Sequence, residues 1–330
     1  MKTLRVPACP LGRYSVTEPR PSGSGGKLAL ALLALTCIAQ ADTFYLTVSG
    51  LGGEQEYEQR FSGWAKELEL ILKNEPASKL ETLSGAQSTR AAIQAKLADI
   101  AKQAKPADNF ILFMIGHGSF DETDYKFNVT GPDITATELA AALDKIPAQQ
   151  LIVNMTSASG GATSAIQKSR RVVISATKAG TEANATVFAR YFIESLRDPS
   201  ADTDKNEAIT ALEAFRYAEA KTAKFFEDLK RLATEHALLE DTGKGDGVKA
   251  PSPENGQGLV AGRFAVLHTG TSAAVARNPE KLALLKRKEE IEAQIDDLKY
   301  RKAALSVQEY RGQLQKFLLE LAKTQEALDK

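Results

Sequence analysis

NFILFMIGHGSF, Asn109–Phe120, decides the reading of this chain, and LIVNMTSASGG, Leu151–Gly161, answers it. Each is a short continuous apolar run bounded by turn residues, the pattern of a fully buried strand. Each is followed by a helical pattern. Two such strands place their carboxyl ends on one edge of a parallel sheet, the edge where open α/β sheets bind ligands. The pattern therefore brings His117 and Gly118 to one strand end and the Ser157 hydroxyl to another.

Working outward, TFYLTVSG (Thr43–Gly50) reads as the first strand and the following GLGGEQEYEQ as a loop. Helical periodicity marks Phe61–Leu72, with Trp64, Ala65 and Leu68 on one face, and Ser88–Ala101, with Ile93, Leu97 and Ile100. Asp124–Thr130 alternates as a small hairpin would, and Thr135 can cap a helix over Ala136–Leu143. RRVVISAT (Arg171–Thr177) reads as a strand, Ala185–Leu196 as a helix, and Glu207–Leu239 as a longer helix. Strand alternating with helix predicts a largely parallel α/β domain over 42–270, interrupted by a polar linker over 241–258. Leu259–Gly270 returns to the core as a strand. Asn278-Pro279 then opens a helix, since Asn caps and Pro suits the first turn. Ser306 and Glu309 form a capping box, which predicts two helices, 279–304 and 307–329. Folded as an αα-hairpin, they would set Leu284, Ile291, Ile295 and Leu298 against Leu314, Leu318, Leu321 and Leu328. One long coiled-coil helix is the alternative. Either form makes 279–330 a candidate surface for a partner.

The 330 residues carry 42 basic and 42 acidic side chains, so no basic excess points to nucleic acid. Lys2, Arg5, Arg13, Arg20 and Lys27 precede LALALLALTCIAQA, which ends in a small-x-small site, Ala39-Gln40-Ala41. That is the form of a secretory signal peptide over 1–41, and it predicts an exported protein, periplasmic or secreted. The apolar stretch is too short for a permanent membrane span. Cys9 and Cys37 both lie in this leader, so a mature chain would hold no thiol nucleophile and no disulfide.

The pairing of His117-Gly118 with Thr156-Ser157-Ala158-Ser159-Gly160 resembles the caspase–legumain superfamily of cysteine peptidases, nearest the legumain branch. That family ends one strand in His-Gly and the next in Ala-Cys-x-Ser-Gly. The downstream ISATKAGTEANATVFARYF (Ile174–Phe192) is similar to its next strand and pocket loop. The resemblance implies a caspase/legumain-like fold. It puts the family's histidine on His117 and its cysteine on Ser157, and it implies backbone donors for an oxyanion at Gly118 and Ser157. It also brings Arg60, Glu182 and Asn184 to segments where the family builds its substrate pocket. Ser159 is the rival hydroxyl, but Ser159-Gly160 matches the family's own Ser-Gly. The departure is chemical. A cysteine has a pKa near 8.5 and yields thiolate readily, whereas a serine normally needs a base held by a third group. Asp121, Glu122 and Asp124 follow the histidine closely enough to be considered for that third group. Two functions follow: a weakly active or inactive peptidase homologue that binds peptide or protein, or an endopeptidase using Ser157 as nucleophile and His117 as general base.

An independent pattern is DTDKNEAITALE, Asp202–Glu213. It fits a calcium loop, with Asp202, Asp204 and Asn206 at positions one, three and five, the Ala208 carbonyl at seven, Thr210 at nine and Glu213 at twelve. Glu207 stands where glycine usually makes the sharp turn. Calcium is the one cofactor expected.

Overall fold

The computed structural model describes residues 41–75, 78–252, 255–270, 272, 275 and 278–330. The signal-peptide reading of 1–41, with both cysteines, lies outside the described residues except for Ala41.

The two apolar runs form adjacent strands. β1 (Thr43–Ser49), β2 (Ser78–Leu83), β3 (Asn109–Ile115), β7 (Gln149–Asn154), β8 (Arg171–Ser175) and β10 (Leu238–Glu240) make a six-stranded sheet in the order β10-β8-β7-β3-β1-β2. All neighbours are parallel except β10, which runs antiparallel to β8. Alternate residues of β3 enter different cores: Ile111, Phe113 and Ile115 pack with Phe61, Leu68, Phe188 and Phe215. Phe110, Leu112 and Met114 pack with Ile93, Leu97, Leu139 and Ala162. This is why the run shows no polar alternation: both faces are covered. One cover is α1 (Gln55–Leu72), α5 (Phe188–Ser195) and α6 (Ala211–Asp228). The other is α2 (Arg90–Gln103), α3 (Ala136–Leu143) and α4 (Gly160–Ile166). The α/β class stands on this order and these layers.

Two small sheets decorate the frame. β4 (Gly118–Phe120), β5 (Tyr125–Phe127) and β6 (Ile134–Thr135) pair antiparallel just beyond β3. β9 (Ala208–Thr210) pairs with β11 (Ala265–His268). Thr135 caps α3 in a reciprocal box with Glu138.

Several elements differ from the sequence reading. α1 begins at Gln55, inside the segment read as a loop, because Glu56 and Glu58 suit a first turn whose free N–H groups attract acid. The helix read over Glu207–Leu239 is only α6. Its first residues form β9, Lys230 adopts φ 52° just past its end, and Leu238–Glu240 joins the sheet as β10. His236 therefore lies in a loop rather than on a helix. The strand read over Leu259–Gly270 shrinks to β11, preceded by a short 3₁₀ turn, Ala261–Arg263.

The C-terminal segment forms α7 (Pro279–Tyr300) and α8 (Val307–Asp329), with the Ser306/Glu309 capping box formed at the break. The helices touch through Arg287 with Glu320, Lys281 Nζ donating to the Leu328 carbonyl at 2.6 Å, and Leu285 with Leu328. α7 is also tied to the α/β body. Arg263 Nη2 donates to the Ala293 carbonyl at 2.6 Å, and Lys288 Nζ to the Asn206 carbonyl at 3.2 Å. Ile291, Ile295 and Leu298 are buried, but Leu318 stays 48% exposed, so it does not meet them as a matching stripe would. Among the described residues no helix is long and apolar enough to cross a membrane.

Candidate functional site

β3 and β7 are paired in register from Asn109↔Gln149 to Met114↔Asn154, so their C-terminal turns come out side by side. Beyond β7 the Met155 N–H still donates to the Met114 carbonyl at 2.9 Å. The next turn closes on a pair of hydrogen bonds. Ser157 Oγ donates to the Gly118 carbonyl at 3.0 Å and accepts from the Gly118 N–H at 3.0 Å. The Ser157 side chain is only 2% exposed. Gly118 permits this approach: a Cβ there would lie 2.5 Å from the Ser157 carbonyl oxygen and 2.5 Å from the Tyr125 ring.

A buried polar chain supports the turn. Tyr125 Oη lies 2.6 Å from Thr156 Oγ1, and Thr156 Oγ1 donates to Asn154 Oδ1 at 2.8 Å. Ala158 takes φ 55° and its N–H donates to the Glu182 carbonyl at 2.8 Å. Ser159, the rival hydroxyl, accepts from the Thr177 N–H at 3.0 Å and is buried. Phe120 lies across the mouth of this turn. A Cβ at Gly161 would come 2.7 Å from its ring, and one at Gly180 would run into it.

The His117 imidazole stands edge-on to two aromatic rings of α1, Tyr57 at 4.7 Å and Phe61 at 5.0 Å, with interplanar angles of 74° in each case. Burial lowers its pKa; a hydrogen bond to the Gly52 backbone works against this, and Arg60 adds to the lowering. The net shift is downward, so the ring is neutral at neutral pH. The Gly52 N–H is itself held by Glu58 Oε2 at 2.9 Å. The backbone of Gly52, in the segment before α1, is thus the neighbour that favours a proton on His117 most, and it carries no sequence signature. Asp121, considered for that place, accepts instead from Thr123, the Asp124 N–H and Lys126 Nζ, the last at 2.6 Å, within its own hairpin.

The three residues assigned by resemblance to a pocket have separate engagements. Arg60 pairs with Glu56 and lies 5.0 Å over the Tyr57 ring. Glu182 takes the Lys178 N–H at 2.9 Å, the His236 N–H at 3.1 Å and His236 Nδ1 at 2.5 Å. Asn184 is exposed. Sequence reasoning missed His236 as the partner of Glu182, since 54 residues separate them and only the β10 crossover brings them together.

At the calcium-type loop, carboxylate oxygens of Asp202, Asp204 and Glu213 lie within 4.8 Å of one another. Glu207 adopts φ 65°, the left-handed conformation that the glycine of such loops provides. Asp202 Oδ2 receives the Glu207 N–H at 3.0 Å, and Asn206 Oδ1 the Ala208 N–H at 2.8 Å. Thr210 and Glu213 form a reciprocal capping box at the start of α6. Desolvation, then Glu213, and also Asp202 and Asp296, push the Asp204 carboxyl up to about 6. Converging, mutually repelling carboxylates are the donor set a hard divalent cation neutralises.

No family model and no curated protein matches the chain. Among solved structures it is similar to the initiator caspase Dronc of Drosophila, at 12% identity and a TM-score of 0.42, covering 61% of this chain and 80% of that chain. It is similar to caspase-1 of Spodoptera frugiperda at 12% identity and a TM-score of 0.43, covering 61% of this chain and 87% of that chain.

Proposed function

We propose that this chain is an exported, peptidase-like protein whose His117/Ser157 site is silent or nearly silent in hydrolysis, and which binds peptide or protein at the strand-end edge. The observation that carries this reading is the closed Ser157–Gly118 pair. A serine nucleophile must hand its proton to a base as it attacks. Here the proton is directed to a backbone carbonyl and the lone pair is taken by the Gly118 N–H. That N–H is one of the two donors the resemblance to the legumain branch assigns to an oxyanion, and the serine already fills it. Attack would require both bonds to break and a buried hydroxyl to turn outward. The imidazole is neutral and so could accept a proton, but burial and the charge of Arg60 disfavour the imidazolium that would result, and outweigh the Gly52 backbone bond and the charge of Glu54 that favour it.

A serine-directed fluorophosphonate is the test. The expected result is no labelling of the wild-type chain at Ser157, with no turnover of a peptide library. Robust wild-type turnover lost in Ser157→Ala would establish the serine endopeptidase instead.

The calcium loop supports a second element of the proposal. Asp202, Asp204 and Glu213 would hold the ion, with Asn206, the Ala208 carbonyl and Thr210 completing the oxygen set. Bound there, calcium would order the start of α6 and have no part in hydrolysis. Calorimetry on the chelated protein tests it, and the absence of any calcium heat would remove the site.

A further inference from the structure

The main sheet ends at β2, which pairs with β1 on one side and, among the described residues, with no strand on the other. A sheet edge offers a row of free backbone N–H and C=O groups, and proteins blunt such edges with Pro, bulges or lone lysines. β2, SKLETL, holds no Pro, and its register with β1 runs unbroken from Thr43↔Ser78 to Val48↔Leu83. A cavity of about 320 Å³ lies at this edge, lined by Phe44, Lys79, Leu80, Glu81, Lys96 and Ile100, so space is left beside the strand. Lys79 and Glu81 are two residues apart and so share one face of the sheet. Lys79 Nζ lies 4.4 Å over the Phe44 ring and pairs with Asp42, and Glu81 pairs with Lys96 of α2. These four side chains remain 35–48% exposed, open to a second partner. Leu80 lies on the opposite face, partly buried against the core on the α1 side.

This strand is complementary to itself. In an antiparallel pairing centred on Leu80, Lys79 of each copy faces Glu81 of the other, Ser78 faces Thr82, and Leu80 faces Leu80. Opposite charges directly across an antiparallel pair stabilise it, and like charges oppose it. A parallel, in-register pairing of the same strands would set Lys79 beside Lys79 and Glu81 beside Glu81, so the charges select the antiparallel form. The pairs within the chain do not exhaust these groups, since an ammonium has three donors and a carboxylate two oxygens. Across the seam the row runs Asp42, Lys79, Glu81, Lys96, alternating in sign. A lone lysine keeps other strands off an edge. A lysine and a glutamate at this spacing instead admit a second β2. We propose that β2 is a self-association edge, at which two copies of this chain pair antiparallel about Leu80 and continue the main sheet from one copy into the other. The seam depends on neither the reading of Ser157 nor that of the calcium loop.

Sedimentation velocity on the full chain, over a series of concentrations, tests the proposal. The expected result is a reversible monomer–dimer equilibrium. Lys79→Glu makes both edge charges negative, and Glu81→Lys makes both positive. Either variant alone then sets like charges opposite one another and should dimerise about tenfold more weakly. Mixed in equal amounts, the two variants restore both opposite-charge pairs, and a heterodimer should form with an affinity near that of the wild type. A merely structural effect of either substitution would persist on mixing. If a reversal lowers the melting temperature, Leu80→Cys decides. The two introduced thiols face each other across the seam, close enough for a disulfide, and mild oxidation should link the copies beyond the level of wild type oxidised in parallel. A monomer at every concentration would leave the edge to a different chain and overturn the proposal. So would a dimer that neither reversal weakens, a mixture of the two variants that stays monomeric, or a Leu80→Cys dimer that does not cross-link.

Discussion

Ser157 acts on the fold through its hydroxyl, and removing that hydroxyl separates a structural serine from a catalytic one. Ser157→Ala leaves the Gly118 N–H and carbonyl without partners in a buried turn, a loss of about 1–3 kcal/mol. Urea denaturation should show that loss, whereas a nucleophile held free for substrate could be removed at no such cost. Ser157→Cys should do the opposite to activity. A thiol is a weak hydrogen-bond partner, so the Gly118 pair loosens and a thiolate becomes available at the strand end adjacent to that of the neutral His117. Thiol-dependent peptide hydrolysis above the wild-type background is expected, and its absence would mean that the edge lacks oxyanion donors. At this scale the sequence was legible in part. His117 and Ser157 could be placed at neighbouring strand ends because apolar runs announce buried strands. The direction of the Ser157 hydroxyl could not be read, since it depends on Gly118 coming close enough to bond at both its N–H and its carbonyl. The influence of Gly52 on His117 was illegible for a related reason: any residue can supply backbone.

Elements were legible where a local code wrote them. Thr135/Glu138 and Ser306/Glu309 each pair three residues apart, and both boxes form. Elements that depend on distant partners were not. β2 alternates charged and partly buried residues and becomes a strand only because β1 lies beside it. β10 is three residues long and is defined by its pairing with β8. The calcium-type loop lies between these cases: its oxygen spacing is local, but its turn is made by Glu207 in a left-handed conformation that sequence spacing would assign to glycine. Asp202→Asn should weaken calcium binding by at least about tenfold, since it removes one of the converging charges. It is a cleaner test than Glu213→Gln, which also disturbs the cap of α6. Isothermal titration gives the comparison, and equal affinities would show that the carboxylates do not share an ion.

At the scale of the whole molecule, His268 fastens segments far apart in the chain. Its N–H donates to Glu75 Oε2 at 3.0 Å, Nδ1 contacts Glu75 Oε1, and Nε2 lies 2.9 Å from Glu289 on α7. Burial alone would lower this imidazole; hydrogen bonds and charge from Glu289 and Glu75 outweigh it and hold the pKa up at about 10. The folded value lies above the unfolded one, near 6.5. The contact therefore contributes its full stability below about pH 6.5 and loses it as pH rises toward 10. Urea midpoints measured from pH 6 to 10 should fall for the wild type, and His268→Gln should flatten that fall. Truncation tests the same junction. α8 buries only Thr324 and Leu328 fully, and leaves Val307, Leu318 and Leu319 exposed. A chain ending at Tyr300 should still fold cooperatively, with a lowered melting temperature. One ending at Asn278 loses Glu289 and uncovers the surface under Ile291 and Leu298, and should melt well below it.

The two edges of the main sheet are unequal. Outside β10, Leu239 and Val248 exchange N–H···O bonds at 3.0 and 2.9 Å, so that side is already taken by the chain itself. β2, among the described residues, is the side with no strand beyond it; its exposed Lys79 and Glu81 pair within the chain with Asp42 and Lys96 at 2.8 and 2.9 Å. An antiparallel meeting of two copies centred on Leu80 would set each Lys79 opposite a Glu81. Because the main sheet has only one open side among the described residues, such an association through it ends at a pair: a third copy finds no further edge of that sheet to extend, and growth into a fibril by addition to the main sheet is blocked.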